Sequence, residues 1–581
     1  MNTLAVSVSI SVAVKRFAAA VSLLVCAAPL LAADFSTILV NGRVHSSAGL
    51  VEALAIDARG IIVATGSTAD IEKLAGASSR RIDLQGRAVL PGFHDQHVHP
   101  LFAGLRQRQC AIPQGASIGA LQKGLADCAA RTPKGHWIIG GQWDASALGV
   151  VPHRSLLDSA APDHPVLIDD TSGHSSWANS RALQLANLTA RTRNPSGGII
   201  ERDRKGNPTG VLRESAIELV RRDVPPPTDA EVREALSWAL GEMLSHGITS
   251  YTEASLGFPA GPQKELDAYV ALADAGALKQ RVRLCMTWVP RLDSGAAVAE
   301  EVIATRNLYA REHVSPDCVK IFLDGVPTDS HTAAMLEPYA GTIPGRTDDA
   351  SRFGLVMVPR PMLDQAVARF DRMGLAVKFH AAGDAAVRAG LDAIEFARRE
   401  NGFSTRLHDV GHCTFVSPAD LPRARALGAT FEVSPYLFAP SSINDDITKA
   451  VGPQRISRVW PVRDMIQAGA LVVAGSDWAV VPSVNPWIAV ETLVTRESVG
   501  GSDTSFGKGQ GITIEQALQM FTENAARQNG TDARLGRIER GMIADVIVVD
   551  QDPLKVPITE LHKTRVMQTF IGGELVYQRP D

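Results

Sequence analysis

Two histidines after an apolar segment are the strongest chemical signal in the sequence. His97 and His99 lie two positions apart in the stretch PGFHDQHVHP, at the end of a predicted strand. Because side chains alternate along a strand, both imidazoles point to the same side. If that side is the interior of a barrel, the pair is typical of a metal site, since barrel active sites lie at the carboxyl ends of the strands.

Three further polar residues end strand-like segments. His380 ends LAVKFH, His412 ends HDVGH and Asp477 ends LVVAGSD. Taken singly, each is typical of a core histidine or a helix-capping aspartate. Together with the first pair they give four imidazoles and one carboxylate at strand ends, a ligand set suited to zinc or a similar divalent ion.

A lysine lies inside another apolar strand. Lys320, in VKIFLDG, needs either a partner or a function, because burying an unpaired charge is costly. The structural interpretation is an ion pair with an acid such as Glu253 or Asp324, and the functional one is a part in the metal site. The residues alone leave both open.

Eight β-rich segments must position these residues. Most are separated by helix-like stretches, which predicts an α/β protein with a (β/α)8 TIM-like barrel; a doubly wound open sheet is the alternative. The eight segments are Ala88–Phe93, Ile248–Glu253, Val282–Val289, Val319–Leu323, Ala376–His380, Asp409–Cys413, Thr430–Ser434 and Leu471–Asp477.

Regions outside these repeats predict additional units. The interval from about 100 to 247 is too long for a structureless loop, which indicates an inserted α/β subdomain over the barrel mouth. Short β-rich segments at both ends, including a predicted hairpin around Asn41-Gly42, indicate a small β-sandwich built from both termini. We therefore predict sandwich parts at 34–87 and 529–581 and a barrel at 88–528.

Charge and the first residues limit the partners and the location. The net charge of −4 comes without a basic block, which argues against nucleic acid as a partner. Lys15 and Arg16 precede a short apolar run that ends in small residues, which predicts a signal peptide over 1–33 and a secreted or periplasmic protein with no stable membrane span after cleavage. The alternative is an uncleaved anchor.

Five cysteines lie beyond the predicted signal peptide. Cys110 and Cys128 form either a disulfide, which an oxidising compartment would permit, or two free buried thiols. Cys285, Cys318 and Cys413 lie in apolar strand-like runs, and we predict that they are small core residues.

The order HxH, Lys, His, His, Asp resembles the amidohydrolase superfamily of metal-dependent hydrolases. The details are similar to its amidohydrolase-3 branch, which includes N-substituted formamide deformylases. Further stretches that carry the resemblance are SGHSSWANSRAL (172–183), NPSGGIIERDRKGNPTGVLRE (194–214), KIFLDG (320–325), FHAAGDAAV (379–387), AGSDWAV (474–480) and LGRIERGMIADVIVVD (535–550).

The resemblance implies a distorted barrel with a two-ended β-sandwich, and one or two divalent ions, zinc in the first place. It implies metal ligation by His97, His99, His380, His412 and Asp477. It further implies that Asp477 is the general base and that Lys320 is the position whose carboxylated form bridges two metals. One departure concerns Gly411, which precedes His412 where many relatives have an acid, so the support of that ligand is in question.

The implied activity is hydrolysis of an amide-type C–N bond in a small molecule, with His412 or His174 stabilising the oxyanion. His174 is also the first-choice substrate contact, against a structural role. Trp143, Trp177 and Trp478 are predicted to form apolar pocket walls, against core packing. The alternatives are ester, lactone or phosphoester hydrolysis at the same metals, or a non-catalytic binding protein. The sequence leaves open whether the protein forms a homo-oligomer.

Overall fold

The computed structural model describes residues 35–113, 115–195, 197–289, 294–343 and 348–580. The predicted signal peptide, residues 1–33, lies outside these ranges. Within them, no helix combines the length and the apolar character that crossing a bilayer would require.

One sheet of eight parallel strands forms the centre of the molecule, with the strands hydrogen-bonded in chain order. The predicted α/β barrel is therefore confirmed. Its strands are Phe93–Val98, Ile248–Leu256, Arg281–Thr287, Val314–Phe322, Ala376–Ala381, His408–His412, Ala429–Val433 and Leu471–Ala474.

The two edge strands of this sheet approach each other, so that the barrel is nearly closed. The backbone N–H of Asp477 donates to the carbonyl of His97 over 2.6 Å, and the N–H of His99 donates to the carbonyl of Trp478 over 2.6 Å. A Cβ atom at Gly475 would lie only 2.4 Å from the His97 backbone nitrogen. Glycine therefore permits the contact that brings the first and last strands together.

The prediction that Ala88–Phe93 is the first barrel strand is wrong, because the chain passes from one sheet to another within this segment. Residues Ala88–Pro91 pair with Val546–Val549 in a terminal sheet, and the barrel strand begins only at Phe93. The N–H of Gly92 bonds to the carbonyl of Asp545, whereas the next N–H, of Phe93, bonds to the carbonyl of Gly247. Since no loop separates the two strands, the apolar pattern runs on without a boundary.

Two further sheets are built from the ends of the chain. One has four strands and the other six, and three strands of the six-stranded sheet come from the C-terminal region. The strands are Phe35–Val40, Arg43–Ser46, Gly49–Val51, Ala53–Asp57, Ile62–Gly66, Arg80–Asp83, Ala88–Pro91, Val546–Val549, Val566–Ile571 and Glu574–Gln578.

The hairpin predicted around Asn41-Gly42 is wrong. The chain does turn there, with Asn41 at a φ of 58°, but the strands on either side belong to different sheets. Phe35–Val40 pairs with Ala53–Asp57, and Arg43–Ser46 pairs with Gly49–Val51. A turn signal indicates where the chain bends, and it does not determine which strands pair.

A five-stranded sheet fills the long interval between the first two barrel strands. Its strands are Ile138–Trp143, Val166–Asp170, Ser175–Ala178, Gly198–Arg202 and Pro208–Glu214. Its own apolar core includes Trp143 and Trp177. The amide of Gln142 donates to the carbonyl of Val480 over 3.0 Å, which fixes this inserted unit beside the loop that follows Asp477.

Helices pack against the barrel, the inserted unit and the terminal sheets. The α-helices are Thr68–Leu74, Pro100–Arg106, Ile118–Arg131, Ala145–Leu148, Arg154–Ala160, Ser180–Leu185, Glu218–Arg221, Asp229–Ser245, Pro262–Asp274, Ser294–Thr305, Asp349–Phe353, Arg360–Arg372, Asp384–Asn401, Leu421–Leu427, Ser442–Val451, Pro453–Ile456, Val462–Gln467, Pro486–Thr495, Ile514–Met520 and Glu523–Gln528. Asp229–Ser245 shows why such a segment is helical: Thr228 and Glu231 form a capping box, and Leu236 and Met243 are buried.

Two disulfides join cysteines of this structure. Cys110–Cys128 is the disulfide that the sequence left open. Cys285 and Cys318 are also bonded, so the prediction that they are unpaired core residues is wrong. They lie directly opposite each other on neighbouring barrel strands, a register that spacing in the sequence does not reveal. Cys413 is free and buried, as predicted.

Removing the Cys285–Cys318 disulfide should destabilise the protein. Closing a loop of 33 residues restricts the unfolded chain, which contributes about 3–4 kcal/mol in the chain-entropy model. We expect the variant Cys285→Ala/Cys318→Ala to unfold several degrees below the wild type in differential scanning calorimetry. Maleimide labelling of the denatured, unreduced wild type supplies the control: modification of Cys285 or Cys318 would contradict the prediction.

Candidate metal centre and active site

A cavity of about 1,870 Å³ opens at the carboxyl ends of the barrel strands. It is larger than most small-molecule sites, because it continues into the crevice between the barrel and the inserted unit. All the ligands predicted from the sequence line it: His97, His99, Lys320, His380, His412 and Asp477. The structure therefore brings together residues from five different strands and the loops that follow them.

Three of these residues form the tightest cluster of donor atoms. One donor atom each of His97, His99 and Asp477 lies within 4.8 Å of the other two. Oδ1 of Asp477 is 3.4 Å from Nε2 of His99 and 3.7 Å from Nε2 of His97. Two imidazole nitrogens facing one carboxylate oxygen is an arrangement that fits a divalent cation.

The other two histidines extend this cluster across the barrel. Nδ1 of His412 is 3.7 Å from Oδ2 of Asp477, and the His380 ring centroid is 4.3 Å from that of His412. No described residue offers a hydrogen-bond partner to the buried Nε2 of His412. The backbones of His412 and Asp477 have φ angles of 69° and 61°, a left-handed conformation that non-glycine residues adopt at a cost and that is common at functional sites.

Carboxylates lie behind three of the imidazoles. Nδ1 of His97 donates to Glu432 over 2.7 Å, and Nδ1 of His380 donates to Asp324 over 3.2 Å. Nδ1 of His99 is 3.5 Å from Glu253. Such partners fix the ring orientation and keep the opposite nitrogen, Nε2, free to bind a metal.

Sequence reasoning missed Glu432, although one signal pointed to it. It is fully buried in the strand Ala429–Val433, and a charged residue in an apolar strand needs a partner just as Lys320 did. Its position also explains the glycine that departs from the family pattern. A Cβ atom at Gly411 would lie 2.7 Å from Oε2 of Glu432, so the glycine makes room for a carboxylate from the next strand.

A buried lysine neutralises the charge of Glu432. Nζ of Lys378 lies 2.5 Å from Oδ2 of Asp409 and 3.4 Å from Oε2 of Glu432. Burial lowers the pKa of Lys378, but the two carboxylates outweigh burial and raise it, so the ammonium remains charged. The resulting chain of contacts, Asp409–Lys378–Glu432–His97, supports the metal cluster from below.

Lys320 is buried beside the cluster without the ion pair considered above. Neither Glu253 nor Asp324 binds it, because these acids face His99 and His380. Its Nζ makes no hydrogen bond or ion pair with any described residue and lies 5.0 Å from the centroid of the Phe322 ring. Burial and the charge of Lys378 lower the pKa of Lys320 to about 7.

The protonation states of the cluster, except that of His99, suit a cation. Burial holds the pKa values of His97, His380 and His412 well below the usual histidine value, so these rings are neutral. Burial would also lower the pKa of His99, but the carboxylates of Asp477 and Glu253 raise it to about 9. Burial alone would raise the pKa of Asp477, but the hydrogen bond with His99 and the nearby positive charges outweigh burial and lower the pKa below its usual value. The carboxylate is therefore ionised. Neutral imidazoles and an ionised carboxylate are the forms that bind metals, so His99 must release its proton when a cation binds.

The inserted unit contributes His174 to the same cavity. Its ring centroid is 4.8 Å from that of His380, and its Nδ1 donates to Glu214 over 2.8 Å. Burial lowers the pKa of His174, and the neighbouring Glu214 outweighs burial and raises it to about 8. The structure therefore places His174 beside the proposed metal ligands, its role as a substrate contact stays a prediction, and Glu214 is a residue that sequence reasoning missed.

The predicted tryptophan walls are wrong. Trp143 and Trp177 stack edge to face, with centroids 5.7 Å apart, inside the core of the inserted unit. Trp478 packs against Trp238 instead of lining the cavity. An aromatic ring packs equally well in a core and in a pocket wall. The residue type alone therefore could not show which of these two locations the tryptophans occupy. The tryptophans that do line the cavity are Trp137, Trp288 and Trp460.

Comparisons with known proteins agree with this geometry. A model of the amidohydrolase family matches residues 80–577. The chain is 26% identical to the N-substituted formamide deformylase of Arthrobacter pascens over 531 residues, which cover 90% of this chain and 94% of that protein. It is 29% identical over 556 residues to the protein LONG AFTER FAR-RED 3 of Arabidopsis thaliana, covering 93% of this chain and 91% of that protein.

A solved structure is similar over most of its length. An uncharacterized metal-dependent hydrolase from Pyrococcus horikoshii OT3 has a TM-score of 0.69 and 26% identity, covering 90% of this chain and 99% of that chain. Together with the family match, this confirms the resemblance that the sequence motifs indicated.

Replacing Glu432 should weaken metal binding without removing a ligand. Glu432→Gln takes away the charged acceptor of His97 Nδ1 and leaves Lys378 less well neutralised, so we expect about 10- to 100-fold lower metal affinity. Competition with a chromogenic chelator measures the change. The control is Glu400→Gln on an exposed helix surface, and equal affinities for both variants would contradict the prediction.

Proposed function

Because the chain belongs to the amidohydrolase family, we propose that it is a metal-dependent hydrolase that cleaves a non-peptide, amide-type C–N bond of a small molecule. The observation that carries the proposal is the cluster of His97, His99 and Asp477, whose donor atoms lie within 4.8 Å of one another at the mouth of the barrel. Such a cluster suits an activated water better than a nucleophilic side chain.

The residues present fit a divalent metal, and zinc is our first choice because imidazole and carboxylate donors suit it. His97, His99 and Asp477 would hold one ion, and His380 and His412 would share it or hold a second. When bound, such an ion lowers the pKa of a water ligand from 15.7 to about 7 and polarises a carbonyl group.

Asp477 is the proposed general base. Its ionised carboxylate accepts a proton from the attacking water and delivers the same proton to the leaving nitrogen, so that a carboxylic acid and an amine result. His412 lies 3.7 Å from this carboxylate and is the proposed stabiliser of the charge that develops on the carbonyl oxygen.

Lys320 is proposed as a carboxylated residue. Its Nζ faces the cavity without a hydrogen-bonding partner among the described residues, next to the ligand set. Attack of the neutral amine on carbon dioxide forms a C–N bond and releases one proton. The product is an anionic carbamate, which replaces an unpaired buried amine with an oxygen donor beside the proposed metal ligands.

The lining of the cavity supports a substrate with an apolar or aromatic part. Trp288, Trp460 and Phe258 line it, together with polar groups near the cluster. His174 is the proposed polar contact to the substrate. The shape leaves ester and lactone hydrolysis as the alternative, which a substrate panel can distinguish.

We also propose that the protein acts outside the cytoplasm, in the periplasm or as a secreted enzyme. Two disulfides support this, because such bonds persist in oxidising compartments. The predicted signal peptide at residues 1–33 supports it independently from the sequence.

The zinc-loaded protein should hydrolyse members of a panel of N-formyl, N-acyl and cyclic amides, with amine release measured by fluorescamine. The matching esters and lactones test the alternative, since faster turnover of these at equal metal content would favour it.

Asp477→Asn should lower kcat by at least about 10²-fold, because general base catalysis is lost, while the histidines retain metal. Asp503→Asn at an exposed position is the control, and full activity of Asp477→Asn would refute the role of this residue.

Removing the metal should abolish hydrolysis. Dialysis against a chelator is expected to reduce activity to background, and stoichiometric zinc should restore it, because water activation depends on the cation. Metal content is followed by inductively coupled plasma mass spectrometry. Activity that survives complete metal removal would contradict the proposal, and a protein that never retains metal would favour the non-catalytic alternative.

A further inference from the structure

Glu214 is built into the junction between the inserted unit and the barrel. It is the last residue of the strand Pro208–Glu214, and its φ of 50° is a left-handed conformation that a non-glycine residue adopts at a cost. Its Oε2 accepts from Nδ1 of His174 over 2.8 Å, and its Oε1 accepts from the hydroxyl of Thr332 over 2.7 Å. One carboxylate therefore binds the inserted unit and the barrel loop at the same time.

The barrel loop leaves space for this carboxylate. A Cβ atom at Gly325 would lie 2.0 Å from Oε1 of Glu214, so any larger residue there would displace the side chain. The side chain of Glu214 is only 5% exposed. A buried carboxylate needs its hydrogen bonds, so its two partners are held firmly in place.

The pair His174–Glu214 repeats the arrangement of the proposed metal ligands. His97 and His380 each hydrogen-bond through Nδ1 to a buried carboxylate and present the rest of the ring to the cavity. The side chain of His174 has Glu214 as its single hydrogen-bond partner among the described residues, and its ring lines the cavity beside His380. A carboxylate behind an imidazole fixes the ring so that the other nitrogen can act on a ligand.

We propose that Glu214 is a positioning residue that holds His174 against the reacting group of the substrate, so that the inserted unit completes the active site. This inference rests on the proposed hydrolase function. It assigns a task to Glu214, to Thr332, which donates to it, and to Gly325, which gives it space.

A purely structural role for Glu214 predicts different behaviour. Arg213, the preceding residue, also links the inserted unit to the barrel loop, through Asp329 at 3.0 Å. If Glu214 only reinforced that link, losing it would loosen the junction whether or not His174 were present. If it acts through His174, its loss should have no further effect once His174 is absent.

A double-mutant cycle separates these roles. We expect His174→Ala to lower kcat about 10²-fold and Glu214→Ala to lower it about 10-fold, both at unchanged metal content. The double variant should be no worse than His174→Ala. Additive losses in the double variant would overturn the proposal. Asp329→Asn, which weakens the neighbouring link, is the control and should keep kcat within about twofold, because Asp329 is partly exposed and the buried Arg213 keeps its ion pair with Glu201.

A binding measurement tests the inference without relying on turnover. Acetohydroxamic acid, a small metal chelator with the polar groups of an amide, is titrated into each zinc-loaded variant by calorimetry. We expect about 10-fold weaker binding by His174→Ala and by Glu214→Ala than by the wild type, because a hydrogen bond to the bound chelator is lost or misplaced. Equal titration curves for all variants would overturn the proposal.

The two proposals can fail separately. If no amide is hydrolysed but the hydroxamate difference is found, the hydrolase proposal fails and the positioning role of Glu214 remains. If Glu214→Ala does not fold, Glu214→Gln replaces it, because the amide keeps the shape while it removes the charge and turns one of the two acceptor oxygens into an NH2 donor. A Glu214→Gln protein with wild-type kcat and wild-type hydroxamate affinity would overturn the inference.

Discussion

The short contact between the first and last barrel strands is the constraint on which the active site depends. Two backbone hydrogen bonds of 2.6 Å join His97 and His99 to the segment that carries Asp477. Three of the four residues that supply these backbone groups, His97, His99 and Asp477, also contribute the side chains of the donor cluster. Closure of the barrel and assembly of the ligand set are therefore one event, and the absence of a side chain at Gly475 permits both.

The second organising principle is the pairing of buried imidazoles with buried carboxylates. An isolated imidazole in the barrel would be costly, and for His97, His99 and His380 a carboxylate behind the ring reduces that cost while fixing its direction. The carboxylate of Glu432, which accepts from His97, is itself paired with a buried cation, because Lys378 compensates its charge. The interior of the barrel mouth is thus a connected polar network inside an apolar sheet, which keeps the site rigid.

The clustering of the proposed ligands could be predicted from the sequence, because each of them except Lys320 ends a strand-like segment and parallel strands of a barrel place their carboxyl ends together. The carboxylates behind the ligands could not, since Glu432 reaches His97 from a strand that is distant in sequence, and only strand order reveals the pair. The same reason hid the disulfide between Cys285 and Cys318, which depends on the register of two neighbouring strands. Residue type decides what a side chain can do, and topology decides what it meets.

The six-stranded sheet at the ends of the chain has a consequence for how the molecule is made. Ala88–Pro91 leads directly into the barrel strand Phe93–Val98, yet one of its hydrogen-bonding edges is taken by Val546–Val549. During synthesis, that edge must wait until almost the entire polypeptide has left the ribosome, and pairing across so long a separation is slow. A truncated product that lacks the last strands would carry an open, apolar edge next to the ligand-bearing strand, and such edges promote self-association.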